Sequence, residues 1–168
     1  MGDPKKCRRR WEGPRHPWKK DNLEKELSLV GKYGLRNKKE LWVANSLLRT
    51  YREQASSILG LEESERIRKE RELINKLSKM GLLNEDAVLD DVLGLSIEDI
   101  LERRLQTMLV NLNLAKTPYQ ARQLIVHGHV YIGNRHVSAP GYLVSREEES
   151  MIRCEAIVSL ETQTKKVG

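Results

Sequence analysis

The chain has 168 residues, 32% of them charged, with 30 Lys plus Arg against 24 Asp plus Glu and a formal net charge of +6, a length that permits one ordinary domain or two small ones with modest cores. No stretch approaches the roughly 18 consecutive apolar residues that a membrane span needs, and the first twenty residues hold no apolar signal-type run. Cys7 and Cys154 stand alone, far from any second Cys or paired His at ligand spacing, so the expectation is a cytoplasmic chain with free thiols, no metal, no cofactor and no membrane partner.

The charge is unevenly placed: +6 over residues 1–20, +2 over 21–60, −6 over 61–102 and +4 over 103–168. An acidic centre between basic ends fits a polyanion met by two surfaces, with the centre turned to solvent or to basic neighbours.

Residues 1–40 read as a basic extended arm. Three prolines, two glycines and few apolar side chains in its first twenty residues cannot bury enough surface to offset the entropy of ordering. Its side chains are of the type that orders on RNA: guanidinium and ammonium groups of Arg8, Arg9, Arg10, Arg15, Lys19 and Lys20 for phosphates, and the flat rings of His16 and Trp18 for exposed bases. A tail that only aided solubility would have no use for tryptophan. Arg36, Lys38 and Lys39 extend the same basic surface.

Residues 41–102 read as a helical domain. Asn37 with Glu40 three residues on forms a capping-box-like start, and Leu41, Ala44, Leu47, Leu48, Tyr51, Ala55, Ile58 and Leu59 recur at helical spacing. Gly60 ends that helix, and a second runs from about Glu62 to Met80 with Ile67, Ile74, Leu77 and Met80 on one stripe. Gly81 closes it, a short acidic connection follows, and Ser96 with Asp99 opens a third helix on which Ile100, Leu101, Leu105, Met108 and Leu112 align. These stripes have the spacing of helices packed on helices and are assigned no chemistry.

From residue 103 to 160 the pattern is helix, tight turn, helix and short strands, with 161–168 as a tail. Thr117 is a good N-cap and Pro118 suits the first helical position, so a helix of about ten residues begins there and Gly128 ends it. Ala121, Leu124 and Ile125 should pack inward on Leu105, Leu109 and Leu112, leaving Tyr119, Gln120, Arg122, Gln123 and His127 toward the open side. Val130–Ile132 and Arg135–Val137 read as strands around a Gly133-Asn134 turn, with further strands at Tyr142–Ser145 and Met151–Val158. Glu147, Glu148 and Glu149 beside Arg146 read as a solvated loop rather than a metal site. The whole is α+β.

The run Ala121-Arg122-Gln123-Leu124-Ile125, then His127-Gly128-His129-Val130 and a Gly/Asn turn, resembles the RNA-binding module named after small-subunit ribosomal protein four, over roughly residues 103–145. Such modules also occur in RNA-modifying enzymes, in a tRNA synthetase and in a ribosome-associated heat-shock protein. Upstream, Pro14-Arg15-His16-Pro17-Trp18, Tyr33–Trp42 and Ile97–Thr107 resemble the archaeal and eukaryotic form of the protein-four family itself. The resemblance implies direct binding to small-subunit rRNA at a helix junction, early assembly of the subunit body, and a place near the channel through which mRNA enters, with protein five as neighbour, protein twelve functionally linked, and a contribution to translational accuracy. Asn113 stands where the family usually has glycine before the turn, and Asn tolerates the left-handed conformation. Bacterial members often carry a zinc-binding Cys cluster near the N-terminus, and here Cys7 is alone.

The residues themselves supply a mechanism. Arg104, Lys116, Arg122 and Arg135 would meet phosphates, and Thr117, Tyr119, Gln120 and Gln123 near a helix N-terminus would donate to an oxygen-rich backbone. His127 and His129 either contact RNA or serve as structural caps. Of Arg103 and Arg104, at least one is expected on RNA. An RNA-modifying enzyme or a ribosome-associated factor with the same module is the alternative, but residues 21–102 offer no phosphate loop, nucleophile–base pair or ligand set.

Overall fold

The structure is a computed structural model that describes residues 11–84 and 86–155, over which the chain is α+β, with eight helices and one three-stranded antiparallel sheet. Arg8, Arg9, Arg10, Cys7, the end of the expected last strand and the tail at 161–168 lie outside the described residues.

The basic arm does not stay extended to residue 40. Lys20–Tyr33 forms helix α1, which packs Leu29, Val30 and the buried Tyr33 on the first core and is closed by Gly34 at φ 59. Leu23, Leu27, Leu29, Val30 and Tyr33 make it amphipathic, although Leu27 faces solvent, and burial against the next helix stabilises it. That helix, α2 (Lys38–Leu59), starts where Asn37 Oδ1 accepts from the Glu40 amide at 3.2 Å and buries Leu41, Ala44, Leu48, Tyr51, Ala55 and Ile58. Helix α3 (Glu63–Lys79) buries Leu73, Ile74 and Leu77 but leaves Ile67 exposed, because only its C-terminal half lies on the core. Helix α4 is Leu89–Gly94, and α5 is Ile97–Glu102, opened by a reciprocal Ser96–Asp99 cap.

The third helix expected from the sequence is broken in two. Arg103 and Arg104 interrupt it, and α6 (Leu105–Asn111) begins only after Arg104, whose backbone is extended. The cause is a backbone pairing with the segment that returns from the far end of the chain: the Leu105 amide donates to the Tyr142 carbonyl at 2.8 Å and the Val144 amide to that of Arg103 at 3.0 Å. The strand expected at Tyr142–Ser145 is this single bridge, Arg104 to Leu143, and does not join the sheet. Leu112, placed by periodicity in the core, is exposed once α6 ends before it.

Helix α7 (Pro118–Val126) follows a turn in which Asn113 takes φ 57, as its side chain allows. Strands β1 (Val130–Ile132), β2 (Arg135–His136) and β3 (Ile152–Cys154) pair in the order β2-β1-β3, with Tyr131 opposite both His136 and Arg153. The acidic run is not an open loop. Arg146–Glu149 forms a one-turn helix, α8, capped by Ser145 and Glu148.

Two cores result. The first gathers apolar side chains from α1 to α5, and the second joins α6, α7 and the inner face of the sheet through Leu105, Leu109, Ala121, Ile125, Val130 and Val144. They meet at the Arg103-Arg104 break. Gly34 touches the second unit directly: a Cβ there would lie 2.7 Å from Pro118 Cβ. Gly34→Ala should therefore cost more than the roughly 1–2 kcal/mol of a left-handed alanine, whereas Gly31→Ala, helical and facing open space, should stabilise by up to about 0.5–1 kcal/mol. Urea melts of the two variants measure the contrast, and equal effects would refute it.

Candidate nucleic-acid interface

The charged residues divide into a set used to build the molecule and a set left on its surface. Arg104, expected at a phosphate, is only 7% exposed and donates from Nη2 to Glu40 Oε2 at 2.5 Å. Arg122, expected on the open side of α7, turns back to the same carboxylate: Nη2 reaches Oε1 at 2.6 Å and Nη1 reaches Oε2 at 3.3 Å. Gln106, 1% exposed, completes the junction. Its Nε2 lies 3.2, 2.9 and 3.0 Å from the carbonyls of Tyr33, Gly34 and Pro118, and its Oε1 accepts from Arg122 at 3.3 Å. Glu40 is thus both the third residue of α2 and the acceptor that ties two arginines of the other unit to it.

The consequence for Glu40 is electrostatic. Burial alone would raise its carboxyl, but hydrogen bonding and charge from Arg122 and Arg104 outweigh that and hold it below the ordinary carboxylate value. Arg103 is also structural. Its guanidinium donates to Glu149 Oε2 at 3.0 Å and to the Val144 carbonyl at 3.1 Å, and it lies against Gly81, where a Cβ would come 2.7 Å from its Cζ. Neither arginine of the pair is free for a polyanion.

What remains exposed on the module is richer in amides and rings than in charge. Thr117 accepts from the Gln120 amide at 3.2 Å, fixing the start of α7, and Gln120 Oε1 accepts from the Lys116 amide at 2.9 Å. Lys116, Tyr119 (63% exposed), Gln120, Gln123, His127 and His129 face solvent. Leu124 is half-buried rather than a core residue; Ile125 and Ala121 carry that role. With Gln120, Gln123, His127 and His129 it lines an open groove of about 330 Å³. Arg135 is exposed but leans over Tyr142, 5.9 Å from its ring and 3.3 Å from its hydroxyl.

The arm splits likewise. Trp11 is half-buried, 5.1 Å from Trp42, whose Nε1 donates to Glu26 at 2.9 Å, so one tryptophan of the leader is packing. Trp18, 88% exposed, is not. Arg15, His16, Lys19, Lys20, Arg36 and Lys39 are exposed, and Lys38 is held by Glu26 at 2.9 Å. The pairs Lys19–Asp21 and Lys20–Glu24, at 3.7 and 3.8 Å and well exposed, are of the kind that contribute little and exchange readily for phosphate.

Sequence reasoning missed His136, Tyr131 and Arg153. Strand register sets them in one row on the outer face of the sheet, with the Tyr131 and His136 rings 5.8 Å apart. Alternation in each strand hinted at their outward direction, but only the pairing shows that they are neighbours. Among the described residues no group of three or more His, Cys, Asp or Glu could hold a metal, and no helix is long and apolar enough to cross a membrane.

Comparison with known proteins matches two family models end to end: the ribosomal protein S4/S9 N-terminal domain over residues 3–102 and the S4 domain over 103–150. The boundary falls at the Arg103-Arg104 break. Small ribosomal subunit protein uS4 of Sulfurisphaera tokodaii is 60% identical over 153 residues, 90% of this chain and 86% of that protein. The proteins of the same name from Sulfolobus acidocaldarius and Saccharolobus islandicus are 55% and 53% identical over the same share of this chain and 87% and 84% of theirs. These relatives carry the name of a ribosomal protein, not of an enzyme.

Glu40→Gln leaves two guanidiniums facing a neutral amide, and should cost roughly 2–4 kcal/mol, below the full figure for a buried pair because the carboxylate is partly exposed. Because the folded pKa is depressed, the stability from Glu40 is present above the unfolded value of about 4.3 and is lost as pH falls through the lower folded one. Denaturant melts between pH 7 and pH 3 should show a smaller acid loss in the variant than in the parent chain; equal losses would exclude Glu40 as the source.

Proposed function

The chain belongs to the family of small ribosomal subunit protein uS4, and from that premise we propose that it is a structural constituent of the small ribosomal subunit that binds its rRNA directly. The observation that carries this reading is the family match across both units, 3–102 and 103–150, with relatives at 53–60% identity covering nine-tenths of the chain. The distribution of side chains supports it. After internal pairing has used Arg103, Arg104 and Arg122, the exposed set still combines cations at Arg15, Lys19, Lys20, Arg36, Lys39 and Lys116 with rings at His16, Trp18 and Tyr119. Cations position a phosphate backbone, and rings and amides meet bases in unpaired segments.

The finer reading is that the protein binds at a helix junction where both units touch RNA at once. The Glu40 clamp then acts in binding by fixing the angle between α1 and the face of α7, so that the relative placement of these two helices needs no ordering on contact. Nucleation of subunit-body assembly, contact with protein five, functional linkage to protein twelve and a role in accuracy near the channel through which mRNA enters follow from the family and belong to the same proposal.

Chemical footprinting of small-subunit rRNA with and without the protein tests the reading. Protection should cluster at one junction, and preference for duplex DNA in competition would overturn it. Removing residues 1–10, which leaves Trp11 on Trp42, should weaken binding and lower the log–log salt slope by about 0.9 for each phosphate that is no longer neutralised, since fewer counterions are released. An unchanged slope would remove the leader from the interface.

A further inference from the structure

We infer that the groove beside α7 seats one unpaired nucleobase of the ribosomal RNA, an inference that rests on the rRNA-binding reading above. The five side chains lining it are Gln120, Gln123, Leu124, His127 and His129, with no Lys, Arg, Asp or Glu among them. Such a lining suits a neutral, flat, hydrogen-bonding group better than a phosphate.

Each wall has a defined part. Gln120 lines the groove and has its Oε1 engaged by the Lys116 amide at 2.9 Å, which leaves its Nε2 protons to donate to an occupant. Gln123, His127 and His129 are exposed and make no side-chain hydrogen bond among the described residues, so Gln123 keeps both a donor and an acceptor for a base edge. The half-buried Leu124 gives an apolar floor, and the two imidazoles offer ring faces for stacking. Between them Gly128 takes φ 86 with the His136 ring against it; a Cβ there would meet His136 Nε2 at 2.9 Å. The exposed Lys116 ammonium, on the segment that leads into α7, is a counter-charge for the phosphate of the nucleotide whose base enters. In a paired A-form helix the bases are stacked and their Watson–Crick edges engaged, so a base that enters a groove of this kind is an unpaired one. The face of α7 reads base chemistry while the arm reads phosphate.

The test is the full chain carrying Gln123→Ala together with His127→Ala, bound to a small-subunit rRNA fragment and probed with reagents that attack Watson–Crick edges. The parent should protect the edge of at least one unpaired nucleotide. In the variant that protection should vanish and affinity should fall about tenfold, as when one base stack is removed, with the salt slope and melting temperature unchanged because every phosphate partner and every internal bond is kept. Persistence of every edge protection, or a slope lowered by about one, would overturn the base site and leave the rRNA reading intact. Failure of the parent chain to protect any rRNA would overturn both.

Discussion

One carboxylate, Glu40, holds the arrangement on which the rest depends. It sits in the first turn of α2 and accepts from two arginines of the other unit, Arg104 at the head of α6 and Arg122 on α7. A buried guanidinium without an anion is costly, and two are more so. The pairing therefore ties the two cores together, and it fixes direction, since a bidentate contact tolerates little rotation. Gln106 does the same for neutral groups by satisfying carbonyls at the end of α1 and at the start of α7 with one amide. Gly34, with no Cβ to hold Pro118 off, lets those backbones approach closely enough for the bonds to form.

This junction also sorts the protein's charge. Of the arginines near the module, Arg103, Arg104 and Arg122 are spent on internal carboxylates and carbonyls, and Arg135 leans on Tyr142. Exposed cations remain on the arm, on the segment after Gly34 and at Lys116, as they do on α3 at Arg68 and Arg71, while the face of α7 keeps amides, imidazoles and a tyrosine. The two surfaces differ in physical character: the first exerts a long-range, salt-sensitive attraction on any polyanion, and the second presents short-range hydrogen-bonding groups and rings.

Much was legible in the chain as written. Asn37 and Thr117 cap the helices that their spacing announced, Gly81 and Gly128 end helices in the left-handed conformation, and Asn113 turns the chain where a glycine is usual. The apolar stripe of α2 and the strand at Val130–Ile132 fall as period 3.6 and period 2 require. The α+β class and the family followed from such local signals and from long, specific runs. Local signals depend on neighbours within a few residues, and those are present in the sequence itself.

What only the tertiary structure decided is which charges are architecture and which are surface. A guanidinium reads the same whether it meets Glu40 or a phosphate, and the 64 and 82 residues that separate Glu40 from Arg104 and Arg122 carry no signal of their meeting. The same distance hid the break between α5 and α6, imposed by a pairing with Leu143, and the row of His136, Tyr131 and Arg153, set by strand register. Helix α1 went unread behind a leader rich in proline and charge, although its own apolar residues Leu29, Val30 and Tyr33 are what pack on the first core. Propensity and period are set within a few residues of chain; the choice of partner across the chain is made by packing.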